Sequence, residues 1–239
     1  MTGDVLVHLS GVRKAFGTAL VLDDIALDVR AGEAVAMLGA NGAGKTTLLK
    51  LVATVWRPSR GIVMVAGHDC RRDADGARRH VALVGHGSQL YEDLTARENL
   101  KFWATLHGHP ADGRQLGEAL AAVELDGVSD ERVRTFSAGM KRRLSLARVA
   151  VASPRVLLLD EPSAGLDQRG RKWLEAFLQA FKANGGALIL ATHGLGRELG
   201  VADRISILAN GRIVLDTPRA ALSADDVLRL YALHAEGDA

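Results

Sequence analysis

A glycine-rich segment at residues 39–47 constrains this chain more than any other stretch. It reads Gly39-Ala40-Asn41-Gly42-Ala43-Gly44-Lys45-Thr46-Thr47 and matches the pattern G-x-x-x-x-G-K-[ST]. In such a loop, successive backbone N–H groups point at phosphate oxygens, and glycine allows the close approach because it has no Cβ. Residues 33–38 read as a buried strand, and a helical pattern follows from Thr47. The segment therefore predicts a nucleoside triphosphate site between a strand and a helix.

The same pattern predicts roles for individual side chains. Lys45 would neutralise charge on the β- and γ-phosphates, and the Thr46 hydroxyl would hold Mg²⁺. The helix would add the positive end of its dipole. The other loop residues expected to contact the nucleotide are Gly39, Asn41, Gly42, Ala43, Gly44 and Thr47. The alternative is a glycine-rich turn that binds no ligand.

Length and composition limit the class of protein. A chain of 239 residues, 48% of them hydrophobic, predicts one large domain, or one domain with a small satellite. Its single cysteine, Cys70, excludes an intramolecular disulfide and is compatible with a reducing compartment. We find no apolar run near the roughly 18–20 residues of a transmembrane helix, and no signal-peptide pattern at the start. We therefore expect a cytosolic protein that reaches a membrane only through a partner.

Charge gives no clear indication of a nucleic acid partner. The net charge is +2, and the arginines between residues 57 and 79 form a locally basic stretch. Asp69, Asp73 and Asp75 interrupt that stretch, and no aromatic residues alternate with the arginines. This pattern is typical of a solvated face rather than a nucleic-acid site. We expect no nucleic acid partner.

Short β-rich runs alternate with helical patterns, which indicates an α/β domain with parallel strands and crossover helices. The runs predicted as strands are Leu6–Leu9, Ile25–Val29, Val35–Leu38, Ile62–Val65, Val81–Val84, Val156–Leu159, Ala187–Ala191, Ile205–Leu208 and Arg212–Leu215. Asn210-Gly211, between the last two, predicts a tight hairpin because both residues accept positive φ.

Between about residues 95 and 152 only helical patterns occur. Thr95 and Glu98 have the spacing of a capping box, which predicts that a helix starts there. Two more helices are predicted, at about residues 111–125 and 137–152. We interpret the segment as a helical insertion in the α/β domain.

Two acidic residues follow the buried run at residues 156–159. An acid at the carboxyl end of a strand beside a phosphate loop can reach Mg²⁺, which suits Asp160. Glu161 suits the role of general base for a water that attacks the γ-phosphate. His193 follows another apolar strand and would donate a hydrogen bond to the γ-phosphate. The alternatives are an acidic turn for the pair and a structural role for His193.

The segment Phe136-Ser137-Ala138-Gly139-Met140 resembles the L-S-G-G-Q signature of ATP-binding cassette (ABC) ATPases. From about residue 6 to residue 217, the chain has other motifs in that family's order and approximate spacing. They are the 39–47 loop, Leu158-Leu159-Asp160-Glu161-Pro162, Ser163-Ala164-Gly165-Leu166-Asp167 and Thr192-His193. The resemblance implies a P-loop NTPase of the ABC-ATPase fold: a mixed, mainly parallel core sheet, N-terminal antiparallel strands and an inserted helical subdomain. Residues 1–239 would form one domain, with residues 90–153 as that subdomain.

The family resemblance also implies a second half of the ATP pocket. Ser137 and Gly139 would complete the pocket of a second ATPase subunit, expected to be an identical chain, and Asp167 would couple the two sites. Phe16 matches the aromatic residue that stacks on adenine; the alternative is an ordinary core phenylalanine. Two residues depart from the signature: Ala138 replaces a glycine, and Met140 replaces the glutamine.

The loop that carries a glutamine in the family is the weakest match. Gln89 would contact Mg²⁺ in that role, but alignment from the following motif places the position on His86 or Gly87. The three candidates remain open.

Residues 94–100 and 139–144 resemble ABC exporters, notably the ABC-2 type. Val84-Gly85-His86, the Phe136–Arg143 segment and the short C-terminus resemble the haem-exporter ATPase of cytochrome c maturation. We therefore predict haem export, with a drug, polysaccharide or lipid exporter as the alternative and a nucleic-acid-associated ATPase as a remote one.

This resemblance also implies how the chain works and where. Two copies would bind Mg-ATP, close head to tail, hydrolyse it and reopen. These movements would be transmitted to integral-membrane permease subunits, which would be bound in grooves near residues 85–110. The chain would lie peripherally on the cytoplasmic face of the inner (plasma) membrane.

Overall fold

The computed structural model describes residues 3–85, 90–108, 112–193 and 197–235. Over these ranges it has ten strands and seven α-helices. The strands are β1 (Val5–Phe16), β2 (Ala19–Arg30), β3 (Ala34–Leu38), β4 (Arg60–Val65), β5 (His68–Asp69), β6 (Val81–Val84), β7 (Val156–Asp160), β8 (Ala187–Thr192), β9 (Arg204–Ala209) and β10 (Arg212–Pro218). The helices are α1 (Lys45–Val52), α2 (Ala74–Arg78), α3 (Ala96–Leu106), α4 (Gly113–Ala121), α5 (Ala138–Ala152), α6 (Gln168–Ala183) and α7 (Ala224–Ala235).

The strands form two sheets. One has six strands in the order β10-β9-β3-β8-β7-β6, in which only β10 pairs antiparallel. The other has four antiparallel strands in the order β2-β1-β4-β5. The predicted fold class, a mixed and mainly parallel core sheet with N-terminal antiparallel strands, is confirmed.

The central strands of the larger sheet are covered on both faces. Every residue of β3, β7 and β8 is buried, as expected for parallel strands between two layers of other elements. On one face, side chains of the sheet pack with α1 and the antiparallel sheet in a single cluster that includes Met37, Leu48 and Val7. On the other face they pack with α6 through Leu174 and Leu178.

Helices α3, α4 and α5 pack against one another around a cluster of their own, which includes Leu100, Leu120 and Leu144. The predicted capping box at the start of α3 is confirmed: the Glu98 N–H donates to Thr95 Oγ1 at 3.1 Å, and the Thr95 N–H donates to Glu98 Oε2 at 2.8 Å. Helix α4 ends at Ala121, four residues before the predicted end, because Glu124 has a left-handed backbone with φ of 54°.

The antiparallel strands confirm one prediction and correct another. The predicted hairpin at Asn210-Gly211 is confirmed, with φ values of 49° and 73° between β9 and β10. The lengths of the first two strands differ from the prediction. Strands β1 and β2 are each 12 residues long, far longer than the predicted runs. Several register shifts interrupt their pairing, and each shift breaks the alternation of apolar and polar residues by which a strand is recognised.

Cys70 follows β5, and the residue is 3% exposed. Burial raises the pKa of this thiol from 9.0 to about 12, with a further contribution from the charge of Asp69. The reactive thiolate would then be only about one part in ten thousand at pH 8. We expect Cys70 to resist iodoacetamide in the native protein and to react fully in denaturant, as measured by mass spectrometry. Rapid native labelling would contradict the burial of this side chain.

Candidate functional site

The loop at residues 39–47 connects β3 to α1, as the sequence predicts. Two of its glycines are required by their surroundings. A Cβ on Gly39 would lie 2.4 Å from the carbonyl oxygen of Leu208. Gly44 has φ of +106°, and a Cβ there would lie 2.7 Å from a methyl carbon of Leu22. Side chains at these positions would displace the loop, so its path depends on its contacts with β9 and β2.

Lys45 begins α1, with its ammonium group turned back into the loop. Its Nζ donates to the carbonyl oxygens of Gly39 at 2.6 Å and Ala40 at 3.0 Å, and the residue is 7% exposed. Burial lowers the pKa of Lys45 from 10.5, while the nearby charges of Glu161 and Asp160 raise it. A buried cation beside a glycine-rich loop is a favourable place for an anionic ligand.

The strand order brings the other predicted residues to this loop. Strands β3, β8 and β7 are parallel neighbours, so their carboxyl ends lie at one edge of the sheet. Thr46 Oγ1 donates to Asp160 Oδ2 at 2.6 Å, and Asp160 is 4% exposed. A hydroxyl and a carboxylate this close provide the hard oxygen ligands that Mg²⁺ prefers, and this donor set fits the ion. Among the described residues, no group of three His, Cys, Asp or Glu side chains could hold a metal ion.

Glu161 has an unusual backbone conformation. Its φ of 50° lies in the left-handed region, which costs a residue other than glycine on the order of 1–3 kcal/mol. Its carboxylate is held by three donors: the His193 N–H at 2.9 Å, His193 Nδ1 at 2.6 Å and the Thr192 hydroxyl at 3.2 Å. A carboxylate has about four acceptor positions, so the donors among the described residues leave one for a water molecule.

The contact between His193 and Glu161 limits what the histidine ring can do. When the neutral ring donates from Nδ1 to Glu161, its Nε2 carries a lone pair and accepts hydrogen bonds. His193 would then donate to a phosphate only as an imidazolium, or after the proton moves to Nε2. The ring is largely exposed, with 58% of its side-chain surface accessible, so a ligand can reach it.

The phosphate loop, Asp160, Glu161 and His193 line one cleft of about 300 Å³. Its predicted residues are Asn41, Gly42, Gly44, Lys45, Thr46, Thr47, Asp160, Glu161 and His193. Ala43 lines an adjoining cavity of about 450 Å³, together with Asn41 and Gly42. The triphosphate-binding and acidic residues predicted separately from the sequence are therefore brought together.

The signature residues line a different cavity, of about 440 Å³. Ser137 and Gly139 lie there with Asp167 and with the charged side chains of Arg143 and Arg169. Two of the predicted residues also cap helices: Ser137 Oγ accepts from Met140 N at 3.2 Å to start α5, and Asp167 Oδ1 accepts from Gly170 N at 2.7 Å to start α6. Within the described ranges, the signature does not share a cavity with the phosphate loop of its own chain.

Phe16 lies at the end of β1 and outside the residues that line the cleft. It is 42% exposed, so the alternative of an ordinary core phenylalanine is wrong. Its ring contacts Trp56 edge-on at 4.9 Å, and Lys14 Nζ lies 4.6 Å from the ring centroid. The three candidates for the glutamine position, His86, Gly87 and Gln89, lie outside the described residues.

Arg142 is a site residue that no sequence motif indicated. Its guanidinium donates to the carbonyl oxygens of Asp160, Glu161 and Pro162, which carry the acidic pair, and to that of Gly85. The only sequence signal was a basic run, Lys141-Arg142-Arg143, after the signature. No local pattern shows which of three adjacent basic residues turns inward.

Comparison with known proteins agrees with this geometry. Residues 22–164 match the ABC transporter family. The chain is 36% identical over 224 residues to the daunorubicin resistance ATP-binding protein DrrA3 of Streptomyces coeruleorubidus, covering 93% of this chain and 71% of that protein. It is 34% identical over 231 residues to the Nod factor export ATP-binding protein I of Burkholderia lata, covering 94% of this chain and 76% of that protein. A solved ATP-binding subunit of an ABC transporter superposes with a TM-score of 0.83 at 28% identity, covering 96% of this chain and 94% of that chain.

The fold and the cleft define a P-loop ATPase, and the chain belongs to the ABC transporter family as an ATP-binding subunit. Its enzymatic activity is ATP hydrolysis coupled to transport.

The geometry of Gly44 leads to a binding prediction. In Gly44→Ala, a left-handed alanine and its overlap with Leu22 would displace the loop amides. We expect ATP affinity to fall by about tenfold or more, as measured by calorimetry. The matched control is Gly117→Ala on α4, where nothing lies within 4 Å of an added Cβ. Unchanged affinity in a folded Gly44→Ala variant would contradict the assigned loop geometry.

Proposed function

We propose that this chain is the ATP-hydrolysing subunit of an ABC exporter and that it powers a separate membrane permease. The observation that carries the proposal is the 300 Å³ cleft, where the phosphate loop meets Asp160, Glu161 and His193 at one sheet edge. Each type of group needed to hold a triphosphate and activate a water is present there.

Nucleotide binding would rest on Lys45 and the amides of the loop. Lys45 would exchange the carbonyls of Gly39 and Ala40 for β- and γ-phosphate oxygens, which gives its buried charge a stronger partner. Thr46 and Asp160 would hold Mg²⁺, and the ion when bound would neutralise charge on the phosphates. Phe16 would stack on the adenine, for which its exposed ring is suited.

Hydrolysis would rest on Glu161. Its free acceptor position would take a proton from water while the water oxygen attacks the γ-phosphorus and the bond to the bridging oxygen of ADP breaks. Thr192 and His193 orient the carboxylate through three hydrogen bonds. His193 would also contact the γ-phosphate. The protein's main contribution is therefore position and charge.

A second ATPase subunit would complete the site, and we propose that it is an identical chain. Support comes from the separation of the signature cavity, with Ser137, Gly139 and Asp167, from the cleft of the same chain. The start of α5 offers backbone N–H groups and a helix dipole to an anion. A nucleotide bound in the facing cleft of a second copy would be that anion. On this proposal, residues 1–239 form one ABC ATPase domain, with residues 90–153 as its helical subdomain.

The permease would dock on the helical subdomain. None of the helices in the described part of the chain has the length and apolar character needed to cross a membrane. Tyr91, Phe102 and Leu106 are exposed apolar residues in and before α3, within the predicted grooves near residues 85–110. We propose that these residues contact integral-membrane subunits and hold the chain peripherally at the cytoplasmic face of the inner membrane. At the position where the family carries a glutamine, Gln89, His86 or Gly87 would sense Mg²⁺ and the permease.

The relatives favour an ABC-2 type exporter of a drug, polysaccharide or lipid. The two reported above are named for daunorubicin resistance and for Nod factor export, and both match more than nine tenths of this chain. Haem export for cytochrome c biogenesis is the second candidate. It is supported by the resemblance of the sequence Val84-Gly85-His86 and of the Phe136–Arg143 segment to the haem-exporter ATPase.

The role of Glu161 is tested by Glu161→Gln. The amide cannot accept a proton from water, so we expect turnover to fall by about 10²-fold or more while ATP still binds. The bound nucleotide would then persist and trap a dimer, visible by size-exclusion chromatography.

Glu118→Gln is the matched control, because Glu118 is an exposed residue of α4 paired with Arg114. It should behave as wild type. Wild-type turnover in Glu161→Gln would refute the general-base assignment. A monomer at saturating Mg-ATP would refute the two-chain site.

Deletion of the gene in the organism of origin distinguishes drug export from haem export. We expect greater sensitivity to an anthracycline or another amphipathic compound, with normal haem-stained c-type cytochromes on gels. Loss of haem-stained cytochromes with unchanged drug sensitivity would favour haem export instead. Complementation with the wild-type gene but not with Glu161→Gln is the control that ties either phenotype to ATP hydrolysis.

A further inference from the structure

We propose that Arg142 is a positioning residue for Glu161: its guanidinium holds the backbone turn that aims the catalytic carboxylate. The inference rests on the proposed role of Glu161 as the general base. It adds a residue of the helical segment to the machinery of hydrolysis.

The contacts of Arg142 are concentrated on one turn. Its Nη2 donates to the carbonyl oxygens of Asp160 at 3.3 Å and Glu161 at 3.2 Å, and its Nε donates to that of Pro162 at 3.2 Å. Its Nη1 donates to the carbonyl oxygen of Gly85, directly after β6, at 2.7 Å. One side chain therefore holds three consecutive carbonyls and links them to the neighbouring strand end.

The backbone at Glu161 needs such support. The left-handed φ of 50° is unfavourable for glutamate, and it persists only where the surroundings hold it. The Glu161 N–H is fixed by the carbonyl oxygen of Ala191 in β8 at 2.9 Å. Its carbonyl oxygen is held by Arg142 and by the Ala164 N–H at 3.2 Å. Loss of the guanidinium would release one side of this peptide and let Glu161 relax toward an ordinary conformation.

Arginine is suited to this position by its shape and charge. Its planar guanidinium presents five N–H donors, whereas a lysine ammonium is a single point with three. Burial lowers the pKa of Arg142 from its ordinary value, and the charge of Asp160 opposes that shift. Hydrogen bonds from a buried cation to carbonyls are stronger than those between neutral groups.

The position of Arg142 on α5 gives these contacts a further consequence. The same helix starts at Ser137, in the signature cavity, and reaches the Glu161 turn through Arg142. A change in the orientation of α5 would therefore move the carbonyls that set the direction of the carboxylate. Hydrolysis would respond to the position of the helix that we propose faces the second subunit.

The test compares Arg142→Ala with wild type in steady-state ATPase and nucleotide-binding assays. We expect kcat to fall by about 10- to 100-fold, because small misplacement of a catalytic group has effects of this size. ATP affinity should stay within about twofold, since the described hydrogen bonds of the guanidinium go to the carbonyls of Gly85, Asp160, Glu161 and Pro162 and not to the phosphate loop. Added methylguanidinium should restore part of kcat in Arg142→Ala, while methylammonium should not.

Two further variants complete the experiment. Arg142→Lys should fold and show a kcat between those of Arg142→Ala and wild type, because lysine keeps the charge but reaches fewer carbonyls. Arg114→Ala removes an exposed guanidinium from α4 and should leave kcat and the unfolding temperature unchanged.

The proposal is overturned if folded Arg142→Ala keeps wild-type kcat. It is also overturned if kcat and ATP affinity fall together with the unfolding temperature and methylguanidinium restores nothing, because that pattern describes a purely structural residue. The Glu161→Gln variant distinguishes failure of the positioning role of Arg142 from failure of the proposed function. An inactive Glu161→Gln beside a fully active Arg142→Ala refutes only the positioning role, whereas an active Glu161→Gln refutes the base itself.

Discussion

The parallel pairing of β3, β8 and β7 is the constraint on which the site depends. Leu38 is level with Thr192, and Asp160 is level with Ala191, so the strands end within about one residue of each other. A slip of one residue would turn Asp160 to the other face of the sheet. The apolar layers on both faces hold this register, because every side chain in these strands would be misplaced by a slip.

The residues at and beyond the carboxyl ends of these strands are less favourable for the fold than the apolar residues within the strands. Glu161 adopts a left-handed backbone, Lys45 is a buried cation, and Asp160 is a buried carboxylate. Glu161 and Asp160 are held by Arg142 and Thr46, from other parts of the chain. Lys45 is held by carbonyls of its own loop. Groups held under strain beside a cleft favour a ligand that completes their interactions, and this arrangement is typical of a catalytic site.

The two cavities relate the fold to its proposed assembly. Helix α5 begins in one cavity, and Arg142 in its second turn contacts the backbone that carries Glu161 in the other. The apolar cluster shared by α3, α4 and α5 makes this segment a packed unit. Helix α3, where we propose that the permease docks, therefore belongs to the same packed unit as the helix that contacts the catalytic turn.

Local patterns in the sequence determined the phosphate loop, the buried strands, the capping box at Thr95 and the hairpin at Asn210, because each depends on residues that are near one another along the chain. Tertiary structure decided the rest. Bulges concealed the true length of β1 and β2, and Thr46 meets Asp160 across 114 residues of sequence. Arg142 and its carbonyl partners are likewise joined only by packing. A sequence pattern can name the groups that a site needs, but the distances between them are set by the packing of the sheet and helices.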